Sequence, residues 1–423
     1  MPRPGIASRS SLALANLRAV VILIVLAFHS VLAYLGWVVV SHAPFTEPPF
    51  DWRAFPIVDP KHFYGFDLFC AWQDVYLMSL MFLLSGLFVW PSMTRKTALL
   101  FARDRLLRLG VPFAFGVIVL IPIAIYPAYL ATGAEPDLSA YWHAYFALPF
   151  WPNGQLWFLW QLLALNFVVI ALNWIVPQAL PALGRASATL GQHPARYFAV
   201  LVAVSAVGYV PLALAFTPWA WSNSGPLALQ FSRALVYSIY FFAGVGIGTG
   251  GIDNGLVSSD GPLGRRWKLW LAVALGTLFL WMGLTSLTMN GPAPLVIEIA
   301  ADVGFAVACA AGCFFMLASS LRFGVNRSRA LNGLGTNAYS LYLVHYDFTV
   351  WLQYALVGST LFAVIKGALV FAGTLVLSWI TLVVVRRVPF AARLFGLTPE
   401  ASMKLRVRKP AELYAWLRQF VSQ

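Results

Sequence analysis

The chain has 423 residues, of which 60% are hydrophobic and 10% are charged, and its mean hydropathy is +0.77. This composition excludes an ordinary soluble domain and predicts an integral membrane protein whose partner is the lipid bilayer. The net charge of +13 comes from loop residues, so it reflects membrane topology and predicts no nucleic-acid partner. The three cysteines form no CxxC pair, which favours neither a disulfide framework nor a metal site.

Ten apolar runs are long enough to cross a bilayer as helices. They cover residues 17–40, 68–90, 111–132, 155–176, 197–216, 229–250, 268–288, 296–320, 334–356 and 361–385. If the N-terminus is cytoplasmic, all but four of the 28 basic residues fall on the inner side, in agreement with the positive-inside rule. The sequence therefore predicts an all-α integral membrane protein, a bundle of about ten transmembrane helices with both termini in the cytoplasm.

The first span carries two ionisable residues, Arg18 and His29, within an otherwise apolar run. Intramembrane ionisable residues are costly and are functional candidates by default. Their separation is close to three helical turns, so they share one helix face with a rise of roughly 16 Å between them. A cation at the inner rim and an imidazole deeper in the membrane could hold two ends of one extended ligand. Alternatively, Arg18 only marks the cytoplasmic helix end and His29 only packs in the bundle.

An inner segment before the third span, residues 94–110, carries Arg105 and Arg108 at positions i and i+3. Such residues face the same way on a helix, and two guanidinium groups on one face suit a phosphate. The segment could lie at the membrane surface and face a cytoplasmic ligand. The alternative is ordinary positive-inside charge.

Polar residues recur near the outer halves of the later spans, which predicts a polar cavity inside the bundle. They are Asp67 and Asp74, Gln155 and Trp157, Glu298 and Asp302, and the group Asn337, Tyr339, Ser340, Tyr342, His345 and Asp347. A neutral histidine is a plausible general base for a hydroxyl. His29 is the better candidate because it is aligned with a basic anchor, whereas His345 is either an acceptor-site or a structural residue.

Two further features concern packing and the C-terminus. Gly244, Gly246, Gly248 and Gly250 form a small-residue stripe, which indicates close helix packing. Residues 1–390 form the predicted transmembrane domain, and residues 391–423 form a basic cytoplasmic tail. We expect this tail to lie along the anionic inner leaflet.

Several segments together resemble one family, acyltransferase family 3, in order and in spacing. They are LRAVVILIVLAFHS (Leu17–Ser30), MFLLSG (Met81–Gly86), FARDRLLRLGVPF (Phe101–Phe113), GQLWFL (Gly154–Leu159) and SLYLVH (Ser340–His345). The family comprises multispan membrane enzymes that acylate sugars and other hydroxyl acceptors. Within it, the chain is most similar to the glucan biosynthesis subgroup, whose members are held to succinylate periplasmic glucans.

The resemblance implies roles for individual residues. His29 matches the family's essential histidine, Arg18 its partner at the cytoplasmic end, and Arg105 and Arg108 the pair proposed to hold acyl-CoA phosphates. Trp157 lies in the LWFL element and His345 in the YLVH element, while Asp74, Glu298 and Asp302 have no clear counterpart. It further implies a bacterial inner-membrane enzyme, with acyl-CoA as a co-substrate, no permanently bound cofactor, and a glycan acceptor.

These roles predict a passage along the bundle, in which a cytoplasmic acyl-CoA extends its pantetheine arm from the arginines toward His29. The acceptor hydroxyl either attacks the thioester directly or follows an acyl-histidine intermediate. A succinyl donor would favour a cation near the reaction centre, with Arg233 and Lys366 as candidates. The competing functions are a transporter or flippase for a glycan or lipid-linked sugar, and a membrane scaffold that leaves the Arg18–His29 alignment unexplained.

Overall fold

The computed structural model describes residues 8–39, 43–222, 224–289, 291 and 293–397. This part of the chain is helical, and its only β-structure is an isolated antiparallel bridge between Trp221 and Gln230. The main helical segments are α1 (Arg9–Val31), α2 (Tyr64–Gly86), α3 (Ala98–Ala131), α4 (Leu138–Phe146), α5 (Trp157–Ile175), α6 (Ala179–Gly191), α7 (Pro194–Phe216), α8 (Ala234–Gly250), α9 (Trp267–Met289), α10 (Leu295–Phe323), α11 (Arg329–Leu356) and α12 (Ala363–Val385). Short helices and 3-10 turns lie at Leu32–Tyr34, Asp51–Arg53, Val89–Met93, Gly154–Leu156, Gly225–Leu227, Pro262–Arg265 and Pro389–Leu394.

Every predicted span coincides with one of these helices. Within the described ranges, eight helical segments are long and apolar enough to cross a membrane, which confirms a multi-pass, all-α protein. The other two are α8, which is apolar but has only 17 residues, and α11, which is long but carries several polar side chains. The count of ten spans and the cytoplasmic location of both termini stay predictions.

Helix α1 starts earlier than the apolar run suggested. The Ser8 hydroxyl accepts a hydrogen bond from the Ser11 amide at 3.1 Å and caps the helix, which therefore begins at Arg9. Arg18 consequently lies more than two turns inside α1, and His29 lies in its last turn. Arg18 is therefore not at the start of the helix, and the imidazole is close to the helix end.

The arginine segment of residues 94–110 is continuous with the third span over most of its length. From residue 98 onward it belongs to α3, which runs without interruption to Ala131. Two turns of this helix are π-helical, at Leu106–Gly110 and at Gly116–Leu120. The segment that carries Arg105 and Arg108 is therefore the N-terminal end of α3 and not a separate surface helix. The first π turn contains Arg108. Single π turns are frequent at functional sites.

Helix α1 occupies a central position and packs against α2, α10, α11 and α12. The glycine stripe explains the tightest of the remaining contacts. A Cβ added at Gly244 or at Gly248 would lie 2.1 Å from the carbonyl oxygen of Leu83 or Leu87, respectively, because α8 and α2 touch backbone to backbone. Gly246 faces α6 instead, where an added Cβ would lie 3.1 Å from the Leu183 side chain. The prediction of close helix packing is confirmed.

The predicted basic tail lies almost entirely outside the described residues, which end at Leu397. The outer loop that follows α1 is described from residue 43 onward and folds back on the end of that helix. Asp59 donates its backbone N–H to the Ala33 carbonyl at 2.8 Å, and Phe63 donates to Tyr34 at 3.0 Å. The loop is therefore attached to the outer end of the helix that carries His29.

Candidate active site

The last turn of α1 presents the half-buried His29 imidazole to α11. Its Nδ1 lies 2.9 Å from the Val25 carbonyl oxygen of the preceding turn. The two helices are joined at this level by Gln353, whose Nε2 donates to the His29 and Ser30 carbonyls at 2.8 Å and 3.3 Å. The backbone and the ring of His29 are therefore both held in place.

His345, on α11, lies directly against this ring. Its Nε2 is 3.3 Å from His29 Nδ1, and the two ring centroids are 5.0 Å apart. Sequence analysis singled out both histidines but did not predict that they touch. His345 is fully buried, and its Nδ1 lies 2.8 Å from the Tyr342 carbonyl oxygen.

The carbonyl partners assign the tautomers of this histidine pair. A carbonyl oxygen only accepts, so Nδ1 carries the proton in each neutral ring. The Nε2 of His345 is then an acceptor for the Nδ1–H of His29, which it shares with the Val25 carbonyl. The remaining ring nitrogen, His29 Nε2, keeps its lone pair and can take a proton or attack a carbon.

Two tyrosines of α11 surround the histidine pair. The Tyr346 ring meets the His29 ring edge to face, with centroids 5.5 Å apart, and the Tyr342 ring lies 5.8 Å from that of His345. The Tyr342 hydroxyl donates to the backbone carbonyl of Gln155, which connects the pair to the turn before α5. Sequence analysis overlooked Tyr346 and Gln353, and no local pattern marks either residue.

One of the predicted donor-site arginines, Arg108, contacts the N-terminal half of α11. Tyr339 of α11 donates to the Arg108 carbonyl. One turn earlier, Gly335 faces the backbone of α1 at Ala15, with only 3.0 Å between an added Cβ and the Ala15 oxygen. Arg18 follows Ala15 by one turn, and its guanidinium lies 4.9 Å from the ring of Phe88, which comes just after the end of α2.

These arginines differ from the outer cations in their partners. Among the described residues, Arg18, Arg105 and Arg108 form no salt bridge within 4.0 Å, although Arg105 also contacts the Phe101 ring at 4.6 Å. Arg18 and Arg108 are exposed and Arg105 is half-buried. Guanidinium groups that form no salt bridge can bind an anion such as a phosphate.

The face of α1 between Arg18 and His29 is closed, contrary to the expected passage. Ile22 and Val25 occupy this face, and each side chain is only 3% exposed because neighbouring helices cover it. The best-formed cavities in the described structure, of about 220 Å³ beside α9 and α10 and about 340 Å³ beside the outer loop, do not include His29. The two predicted ends are therefore present without an open channel between them.

The two outer cations proposed for a succinyl carboxylate already have carboxylate partners. Arg233 forms a bidentate pair with Asp74, with Nη1–Oδ1 and Nη2–Oδ2 distances of 2.9 Å and 2.6 Å. Lys366 donates to Asp59 at 2.7 Å, and both side chains are completely buried. Neither cation has a free charge to offer to a ligand in this structure.

The remaining predicted residues lie near the Arg233–Asp74 pair. Glu298 and Asp302 are on α10, whose Phe305 ring is 4.9 Å from the Arg233 guanidinium. Trp157 stacks on Tyr237 at 5.4 Å, one turn after Arg233. None of these side chains makes a described contact with the histidine pair. The predicted residues thus divide into the arginines of α1 and α3, the histidine pair, and the residues around the Arg233–Asp74 pair.

Comparison with known proteins identifies the family. A family model described as an acyltransferase domain matches residues 12–383, from the first turns of α1 to the last turn of α12. No curated protein and no solved structure matches the chain. Because the match includes nearly the whole bundle, this multi-pass membrane protein is an acyltransferase and belongs to acyltransferase family 3.

Proposed function

We propose that this acyltransferase moves an acyl group, acetyl or succinyl, from cytoplasmic acyl-CoA to a hydroxyl of an extracytoplasmic glycan, such as a periplasmic glucan of a bacterial inner-membrane pathway. The observation that carries the proposal is the histidine pair. It fixes the His29 ring and leaves the Nε2 lone pair available. Family membership supports acyl transfer in general, whereas the donor and the acceptor are inferred from the site.

The chemistry requires one proton acceptor. His29 Nε2 removes the proton of the acceptor hydroxyl while its oxygen attacks the thioester carbon. The tetrahedral intermediate then collapses, the carbon–sulfur bond breaks, and the imidazolium returns the proton to the CoA thiolate. The products are the ester and free CoA, with His29 neutral again. In the competing route, Nε2 attacks the thioester itself and forms an acyl-histidine intermediate, which ping-pong kinetics would reveal.

The arginines of α1 and α3 support acyl-CoA as the donor. Arg18, Arg105 and Arg108 make no described salt bridge, and Arg side chains bind phosphate in a bidentate manner. The rise of roughly 16 Å between Arg18 and His29 suits an extended pantetheine arm between a nucleotide and its thioester. Because the face of α1 between Arg18 and His29 is closed, this binding mode requires α1 to separate from the helices that cover Ile22 and Val25 when the donor enters.

Aromatic surfaces on the outer side support a sugar acceptor. On α4, Trp142 and Phe146 leave 40% and 64% of their surface exposed, and flat aromatic faces stack well on sugar rings. An interfacial aromatic belt has the same composition, so the acceptor class is decided by assay. Because Arg233 and Lys366 are already paired with carboxylates, they do not favour a succinyl donor over an acetyl donor.

The decisive experiment measures acyl transfer by purified protein. Detergent-solubilised protein is incubated with acetyl-CoA or succinyl-CoA and a β-glucan oligosaccharide, thiol release is followed, and the glycan is analysed by mass spectrometry. We expect transfer by the wild type and none by His29→Ala. The matched control is His193→Ala, which removes an exposed histidine between α6 and α7 and should leave transfer unchanged.

Two results would contradict the proposal. Normal transfer by His29→Ala would exclude His29 as the base or nucleophile. Absence of both thiol release and glycan acylation with wild-type protein would favour a transporter. For the donor site, Arg105→Ala should raise the KM for acyl-CoA, whereas Arg327→Ala, which removes an exposed charge in an inner loop, should not.

A further inference from the structure

The turn before α5 packs against the tyrosines beside the histidine pair and carries a buried amide without a partner. Gln155 is 5% exposed, and neither its Nε2 nor its Oε1 has a hydrogen-bond partner among the described residues. Burying an amide without a partner costs free energy. Such a group in a folded protein therefore calls for an explanation, and a ligand that completes its hydrogen bonds is one.

The position of this turn relative to the pair is fixed from two sides. The Tyr342 hydroxyl donates to the Gln155 backbone carbonyl, and the Tyr342 ring is 5.8 Å from the His345 ring. Gly154 adopts φ +46°, and a Cβ added there would lie 3.3 Å from the Tyr346 ring. Since Tyr346 contacts His29, the backbone of this turn is separated from both imidazoles by one layer of tyrosine side chains.

Apart from the Tyr346 hydroxyl, the side-chain donors that contact the pair or the adjoining turns are already in use. Ser30 donates to the Leu26 carbonyl at 2.7 Å, and Thr349 donates to the His345 carbonyl at 2.9 Å. Gln353 donates to the end of α1. The backbone N–H groups of the helix interiors are engaged in helical hydrogen bonds. Gln155 Nε2 is therefore a buried amide donor in this region whose hydrogens have no described partner.

We propose that the Gln155 side-chain amide binds the carbonyl oxygen of the acyl donor and stabilises the oxyanion that forms when the acceptor attacks. This inference rests on the proposed function. During the reaction the carbonyl oxygen gains negative charge as the new carbon–oxygen bond forms, and it loses that charge when the carbon–sulfur bond breaks. A fixed N–H donor in a water-poor site stabilises this charge without reorganisation.

The test substitutes Gln155 by leucine, which keeps the approximate size and removes both donors. Loss of one oxyanion donor lowers kcat by about 100- to 1,000-fold. We expect that fall for Gln155→Leu, with little change in the KM for acyl-CoA. Because an unpartnered amide is removed, thermal stability should stay equal or rise. A loss of activity in a protein of undiminished stability cannot be attributed to misfolding.

Two further variants sharpen the comparison. Gln161→Leu is the matched control, since Gln161 lies in the second turn of α5, close to Gln155 in the chain, is 7% exposed and has a buried Nε2 without a described partner. It should melt like Gln155→Leu but retain wild-type kcat. Gln155→Met keeps the unbranched shape of the side chain and donates no hydrogen bond, and it should be as impaired as the leucine variant.

The possible outcomes separate this inference from the proposed function. A kcat for Gln155→Leu within about threefold of wild type, which is less than 1 kcal/mol, would overturn the inference while His29→Ala remained inactive. Equal losses in the two leucine variants would also overturn it, because the effect would then come from α5 packing. Failure of the wild-type protein to transfer any acyl group would overturn the proposed function, and this inference with it.

Discussion

Replacing His345 by leucine removes the acceptor on His29 Nδ1–H while the Val25 carbonyl remains. The lost contact is 3.3 Å long and the remaining one is 2.9 Å, so the ring keeps its tautomer and its better hydrogen bond. A neutral hydrogen bond contributes about 0.5–1.5 kcal/mol net, which corresponds to about a 2- to 13-fold change in rate. We therefore expect kcat to fall by no more than about 13-fold if His345 only orients His29.

A different role for His345 would have a different magnitude. If His345 itself transferred a proton in the reaction, its removal would cost about 100- to 10,000-fold in kcat. The assay is acyl transfer at saturating acyl-CoA, with thermal unfolding as a check because His345 is fully buried. His345→Gln restores a polar acceptor and should recover part of the loss. A fall beyond 100-fold in a stable His345→Leu protein, without rescue by glutamine, would refute the orienting role.

Three other predictions concern stability and opening. Lys366→Met leaves Asp59 buried without its partner, so we expect the free energy of unfolding, measured with denaturant, to fall by about 3–5 kcal/mol. The double variant with Asp59→Asn should recover most of this loss. If the losses of the two single variants were additive, the pairing would be contradicted. Gly244→Ala should destabilise by about 1–3 kcal/mol or more, since the new Cβ meets the rigid Leu83 carbonyl. Gly276→Ala, with nothing within 4 Å, should be neutral or stabilising, and similar melting of the two variants would contradict the packing argument. Saturating CoA should increase hydrogen–deuterium exchange in α1 and the helices that cover it, because the donor path is closed; identical exchange with and without CoA would contradict that opening.

The sequence predicted the features that depend on local pattern. The apolar runs located the helices, and the helical period placed Arg18 and His29 on one face of a single helix, as α1 confirms. The glycine stripe predicted a close helix contact, which α8 and α2 make. The family resemblance is confirmed at the level of the acyltransferase domain. Apart from the family resemblance, which rests on several segments in order, each of these signals resides within a stretch of about 10–20 residues, the scale of one helix.

What could not be predicted depends on contacts between distant segments. The partner of His29 is 316 residues away in the chain, and Asp74 and Arg233 are 159 residues apart. Hydropathy and spacing carry no information on such pairs, so Arg233 looked like an unpaired cation. The sequence likewise did not predict that the face of α1 between Arg18 and His29 is closed. The spacing fixes where Ile22 and Val25 point, but not which helix covers them.

The π-helical turns of α3 have a consequence for comparing this chain with its relatives. Each π turn inserts about one residue more than a regular turn holds, so the outer half of α3 is rotated by roughly 200° relative to an uninterrupted α-helix. Residues beyond the turns at Leu106–Gly110 and Gly116–Leu120 therefore present the opposite side to lipid. A relative without these insertions would need two single-residue gaps in this helix before its outward-facing positions could be equated with those of this protein.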